Sequence, residues 1–255
     1  MNIVVCVKQT LNKYLDKENV MSDYDRNALD VGVKLKEKIG GKLIVLSMGP
    51  KKNEEILELS LLMGADEAVL LSDKALSGSD TFATSYALSK AIENIGDVGI
   101  VICGKKSLDG DTSQVGPQIA SNLSYTLISY VTEVLEINEK ITVKANNGTG
   151  YDIIKSDIPC VICIEKDTDN APIIDLRNFN KFKEKEIKTL SIDSIGISAD
   201  KVGNAGSKTK VVNIYEPENI SNCQFIDQDN DDENAKRLID ELNIDILINC
   251  QKGVS

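Results

Sequence analysis

The sequence predicts an α/β protein built on a parallel sheet, and three features of its first two-thirds carry that reading. Short apolar runs of strand length recur at Asn2–Lys8, Leu43–Ser47, Glu67–Leu71 and Val98–Cys103. Stretches of helical period separate them. The runs are apolar at consecutive positions, as strands buried on both faces are. Such strand–helix–strand units close through right-handed crossovers, so the strands lie parallel and helices cover both faces of the sheet.

Each element has its own signal. After the first strand, Asp25–Gly40 carries Ala28, Leu29, Val31, Leu35 and Ile39 on one helical face, and Gly40-Gly41 ends it. Asn53–Met63 is a second helix, stopped by Gly64. Asp80–Ile95 is a third, with Ala83, Ala87, Ala91 and Ile95 facing inward, and Val115–Leu123 is a shorter fourth. The rhythm then changes. Val131–Ala145 alternates about a turn at Asn138-Glu139-Lys140, and Asn146-Asn147-Gly148 leads into Tyr151–Ile154, which reads as an antiparallel meander at the sheet edge. Pro159–Glu165 is a further strand.

From Asp167 onward the chain is polar and irregular. It holds a charged run at Lys181–Lys188, a short helical stretch at Ser191–Ile195, a glycine-rich link at Gly203–Gly206, an acidic patch at Asp227–Glu233 and a helix at Asn234–Leu242. The expected organisation is an α/β domain over residues 1–166 and an extended C-terminal arm over 167–255, because apolar residues in the arm are too dispersed for a second core.

Composition excludes several functions. A net charge of −11, with no run of five or more basic residues, leaves no surface for neutralising nucleic-acid phosphates. With no histidine, Ser-His-Asp catalysis, histidine proton shuttles and mixed His/Cys zinc sites are out. No tryptophan and 4% aromatic residues make poor base-stacking platforms. Redox or group-transfer chemistry therefore has to come from a cofactor, with no catalytic side chain and no metal site expected. No apolar run reaches bilayer length, and Met1-Asn2-Ile3-Val4-Val5-Cys6-Val7 lacks a basic leader and a cleavage pattern, so a cytoplasmic protein is expected. Of six cysteines only Cys160 and Cys163 have redox-like spacing. On a strand, positions three apart point to opposite faces, so these two read as apolar fillers in a reducing compartment.

In an open parallel sheet, ligands bind outside the carboxyl ends of the strands. Four loops lie there: Cys6-Val7-Lys8-Gln9, Ser47-Met48-Gly49-Pro50, the Ser77–Ser85 segment and the Gly104–Gly116 segment. In the third, Ser79 or Asp80 can cap a helix whose first turn carries Thr81, Thr84 and Ser85, where free N–H groups and the positive dipole end suit a pyrophosphate. Ordinary capping explains the same residues. The fourth crowds three glycines, Lys105 and Lys106 into a strand-to-helix loop, and its glycines let backbone approach a ligand. Asp109 and Asp111 would repel a phosphate unless they point away or bind ribose or backbone. The loop is neither a Walker A nor a GxGxxG motif.

At these segments the sequence resembles the electron-transfer flavoprotein β subunit. The matching stretches are Val5-Cys6-Val7-Lys8-Gln9, Leu35-Lys36-Glu37-Lys38, Ser47-Met48-Gly49-Pro50, Met63-Gly64-Ala65-Asp66-Glu67-Ala68, Ser77–Leu88 and Cys103–Pro117, within a similarity that runs from residue 1 to about 215. The resemblance implies a Rossmann-like, adenine-nucleotide-binding domain whose C-terminal arm wraps an FAD-carrying α subunit. It places Cys6, Ser22, Asp23, Tyr24, Asp25 and Met48 at the adenosine and phosphate site, with the loop Gly104-Lys105-Lys106-Ser107-Leu108-Asp109-Gly110-Asp111-Thr112-Ser113-Gln114-Val115. The Ser79-Asp80-Thr81-Phe82-Ala83-Thr84-Ser85 stretch looks like that of electron-bifurcating relatives, where it meets a flavin pyrophosphate, so FAD is expected, with AMP the alternative. Register kept without gaps to Lys183 puts Leu176 at the family's dehydrogenase-docking leucine. An acyl-CoA or other dehydrogenase is the implied partner, with a donor such as NADH and with ferredoxin or flavodoxin as further acceptors. A stand-alone or scaffold nucleotide-binding protein of universal-stress type is the rival reading.

Overall fold

Nine strands form one sheet in the order β11-β5-β4-β1-β6-β10-β7-β8-β9 in a computed structural model that describes residues 1–11, 19–165, 186–213, 215, 225–226 and 230–241. The chain runs β1 (Asn2–Cys6), an antiparallel pair β2 (Gln9–Leu11) and β3 (Asn19–Met21), α1 (Asp23–Ile39), β4 (Lys42–Met48), α2 (Glu54–Leu62) and β5 (Glu67–Leu71). It continues through α3 (Thr81–Ile95), β6 (Val98–Gly104), α4 (Val115–Leu123), β7 (Thr126–Ile137), β8 (Lys140–Asn146), β9 (Tyr151–Asp157) and β10 (Cys160–Ile164). After these come β11 (Ile187–Leu190), the short α5 (Gly203–Gly206) and α6 (Asp231–Glu241). The expected α/β architecture is present. All pairings from β11 to β7 are parallel, and β8 and β9 add the antiparallel meander.

The two faces of the sheet bury separate cores. On one, Ile3, Val5, Val45 and Ile102 pack against Ala28, Leu29 and Leu35 of α1 and Leu57 and Leu61 of α2. On the other, Val4, Leu46 and Val101 meet Ala87, Ala91 and Ile92 of α3 and Ile119 and Ala120 of α4. The consecutive apolar positions of each central strand are thus divided between two helix layers, as the sequence required. Cys160 falls in the first core and Cys163 in the second, so their sulfurs do face opposite ways.

Two arrangements differ from the sequence reading. β7 begins at Thr126 and runs parallel to β10, and β10, though later in the chain, inserts between β6 and β7. Hydrophobic period reveals strands but not their order. Residues 166–185 lie outside the described set, and the segment after them belongs to a compact unit spanning Met1–Lys210. There β11 pairs with β5, and Leu190, Ile192, Ile197 and Val202 complete the core on the α3 side. Their apolar spacing looked too dispersed for a core, but an edge segment buries only one side. A second unit, Val211–Ser255, contains α6, where Asn230 Oδ1 accepts the Glu233 N–H at 2.9 Å.

Candidate functional site

From β1 the chain passes to β4 and β5 on one side of the sheet, then returns through α3 to β6 on the other. The reversal leaves a crevice at the carboxyl ends of β1 and β6, where an open α/β sheet takes its ligand. Ser22, Asp23, Tyr24 and Asp25 reach this point from the start of α1, Cys6 from the end of β1, and Gly104–Val115 from the loop that joins β6 to α4. Met48 ends the neighbouring β4.

Asp25 ties three of these segments together. Its backbone N–H donates to Ser22 Oγ at 3.1 Å, capping α1, and its Oδ2 accepts the Lys8 backbone N–H at 3.0 Å. A Cβ added to Gly104 would sit 2.5 Å from Asp25 Oδ1 and 2.9 Å from Tyr24 Cβ, so only glycine lets the β6 exit pass this close. Burial pushes the Asp25 carboxyl up to about 7, against hydrogen bonds from Lys8 and Ser22 that lower it.

The charges of the loop are neutralised within the protein. Lys8 Nζ reaches Asp109 at 2.6 Å, Lys106 Nζ reaches Asp111 at 2.5 Å, and Lys105 Nζ reaches Glu165 at 2.6 Å and lies over the Tyr130 ring. Burial works to raise the Asp109 carboxyl, but Lys8, Ser107 and the Gly110 N–H together outweigh it and hold the group below its ordinary value. The two aspartates that argued against a phosphate are therefore each paired with a lysine. Asp111 and Ser113 both adopt left-handed backbone, with φ of 51° and 56°. Alternating left-handed residues form backbone nests that receive anions. A cavity of about 330 Å³ is lined by Asp23, Tyr24, Lys106, Leu108 and Asp111.

The Ser79–Ser85 segment joins the same neighbourhood. Thr81 Oγ1 donates to Gln114 Oε1 at 2.9 Å, and Ser85 Oγ donates to Gln118 Oε1 at 3.0 Å. These bonds bring the first turns of α3 and α4 together. Ser85 is buried, and Phe82 O, 2.9 Å away, shares the single proton of its hydroxyl. Ser79 Oγ donates to Leu76 O and accepts from the Gly203 N–H at 2.9 Å. Asp80 caps α3 through Ala83 and accepts from Lys208 and Thr209. In this structure, then, Thr81 meets the loop, whereas Ser79, Asp80 and Ser85 engage the protein's own groups. Thr84 donates its backbone N–H to Asp80 O. Leu176 lies outside the described residues.

Sequence reasoning placed Lys8 in a candidate loop without giving it a part in the site, and it missed Gln118 and the Ser207–Thr209 segment. Lys8 had a readable signal, since it stands in the first strand-exit loop. Gln118 and residues 207–209 are brought in by packing and carry no local motif. Among the described residues there is no cluster able to hold a metal ion and no helix long and apolar enough to cross a membrane.

An open parallel sheet, reversed at its centre with a polar crevice at the reversal, defines an α/β protein of the Rossmann-like class. A family model for the electron transfer flavoprotein domain matches residues 13–195, and the chain belongs to that family, whose work is electron transfer. An electron transfer flavoprotein subunit beta from Thermoanaerobacterium thermosaccharolyticum is 38% identical over 257 residues, covering 95% of this chain and 98% of that one. One from Megasphaera elsdenii is 36% identical, covering 92% and 94%. The caffeyl-CoA reductase-Etf complex subunit CarD of Acetobacterium woodii is 33% identical, covering 85% and 88%. Membership sets aside the stand-alone universal-stress reading and associates the chain with flavin or AMP in general terms.

Proposed function

We propose that the chain is the β subunit of a heterodimer whose α subunit carries its own FAD, and that the crevice of β1 and β6 holds a second FAD. The observation that carries this reading is the Thr81–Gln114 hydrogen bond of 2.9 Å. Through it the start of α3 adjoins the Gly104–Val115 loop, so the Thr81 hydroxyl and the backbone N–H groups of the loop lie beside each other. A pyrophosphate uses both, whereas the single phosphate of AMP needs only the loop. With the loop lysines paired to Asp111 and Glu165, backbone dipoles are left as the main source of positive potential.

The residues present fit such a group. Tyr24 and Leu108 give the small cavity apolar walls for a base, Asp23 and Asp111 offer acceptors for ribose hydroxyls, and Cys6 and Met48 stand at adjoining strand ends. Bound flavin supplies hydride and electron transfer, and the chain's part is to bind and orient it. Electrons then pass from a donor such as NADH to a dehydrogenase, ferredoxin or flavodoxin. The name of the Acetobacterium woodii relative, a subunit of a reductase complex acting with a CoA ester, supports an acyl-CoA-type dehydrogenase as partner. Replacing Thr81→Val together with Thr84→Val in the heterodimer tests the site. Flavin should fall from two towards one per heterodimer while AMP binding stays unchanged; retention of both flavins would refute the role of the α3 start.

A further inference from the structure

The start of α3 is gripped by a segment whose Ser207 lies 127 residues beyond Asp80 in the chain. The short α5 docks first, on the turn ahead of α3. There the Gly203 N–H donates to Ser79 Oγ at 2.9 Å, and the Asn204 N–H donates to Ser77 O at 3.2 Å. A Cβ on Gly203 would lie 2.0 Å from Ala75 O, so no side chain fits at this contact. The residues that follow close on Asp80. Ser207 Oγ accepts the Asp80 N–H at 2.8 Å. Asp80 Oδ2 accepts the N–H groups of Lys208 and Thr209, at 2.7 and 2.8 Å, and the Thr209 hydroxyl at 3.1 Å. Lys208 Nζ lies 5.1 Å from the centroid of the Phe82 ring.

Asp80 and Phe82 are the chain neighbours of Thr81, so residues 207–209 hold Thr81 on both sides. Thr81 in turn donates to Gln114 Oε1 at 2.9 Å, on the loop that borders the crevice. The grip acts on charge as well as on position. Asp80 carries a carboxylate one residue from the hydroxyl that would meet a pyrophosphate, and the donors of Lys208 and Thr209 offset that charge. Resting on the reading that the crevice holds FAD, we propose that Ser207 and Thr209 are positioning residues of the nucleotide site. They act through Asp80 to set Thr81 against the loop, and so determine how firmly the crevice retains the second phosphate of a dinucleotide.

Two double variants of the heterodimer test this, with affinity at the crevice read by dialysis from the flavin or AMP retained. Ser207→Ala with Thr209→Val removes both hydroxyls, whereas Ser207→Thr with Thr209→Ser keeps them. The first pair should weaken FAD about tenfold, the loss of two hydrogen bonds, with AMP affinity within about twofold of wild type. The second pair should bind both as wild type does. Adding Thr81→Val to the first pair should cost little more, because both residues act through that hydroxyl. Unchanged FAD affinity in the first pair, an equal loss of FAD and AMP, or a full second loss on adding Thr81→Val would each overturn the proposal. The equal loss is what a merely structural role would give. Where the first pair fails to fold, Ser207→Ala alone is held to the same outcomes. A wild type that keeps one FAD and one AMP despite excess FAD overturns the FAD reading and this proposal together. Two FAD in the wild type with an unaffected variant overturns the positioning role alone.

Discussion

Asp25 shows how much of the site rests on a single side chain. It is buried, receives the Lys8 N–H and is overlain by Gly104, so it joins the exit of β1, the start of α1 and the exit of β6. Burial raises its carboxyl from 3.8 to about 7. The folded state therefore holds this proton more tightly than the unfolded chain. Its contribution is fully present below the unfolded value and is lost as pH rises to about 7, amounting to up to about 4 kcal/mol. Asp25→Asn should remove that slope, gaining stability relative to the parent at pH 8 and not at pH 4. Parallel pH profiles of denaturant midpoints for the two proteins would contradict the assignment. The sequence pointed to Asp25 only through resemblance, since burial is a product of the fold and one acidic residue ahead of a helix normally reads as a cap.

At the scale of elements, the start of α3 does two jobs. The sequence marked it by its hydroxyls and by Asp80, and the structure gives Asp80 as the cap that also receives the N–H groups of Lys208 and Thr209 at 2.7 and 2.8 Å. These donors outweigh its burial and hold the carboxyl below its ordinary value. Asp80→Ala should therefore lower stability by about 1–2 kcal/mol, the usual range for a lost cap and its accompanying bonds. Hydrogen exchange at the Lys208 and Thr209 amides should accelerate; unchanged protection there would show that the tether is dispensable. The helices were legible because each keeps one period over several turns, and the central strands because each is an unbroken apolar run. β11 was not, since Ile187–Leu190 begins within a charged run and is defined by pairing with β5.

Across the whole molecule, the reversal of strand order at β1 and β6 decides where a ligand crevice can form, and folding brings the Cys6–Gln9 and Gly104–Gly116 loops together there through the Lys8–Asp109 pair. The charge pairing was not legible. Asp109 and Asp111 looked hostile to a phosphate until folding brought Lys8 and Lys106 to them. We propose that the segment after the β10 strand docks partners, with Leu176 as an apolar anchor. Leu176→Ala should slow electron transfer to the dehydrogenase several-fold in stopped-flow measurements with cofactor content unchanged; loss of cofactor would instead give it a structural part.

We propose that the β1–β6 crevice holds a flavin. The direct measurement is the nucleotide released from the wild-type heterodimer, obtained by co-expression with the α subunit and reconstituted with excess FAD. Two FAD per heterodimer is the predicted result. One FAD and one AMP, unchanged by added FAD, would contradict it and leave the crevice as an AMP site in a simple electron carrier.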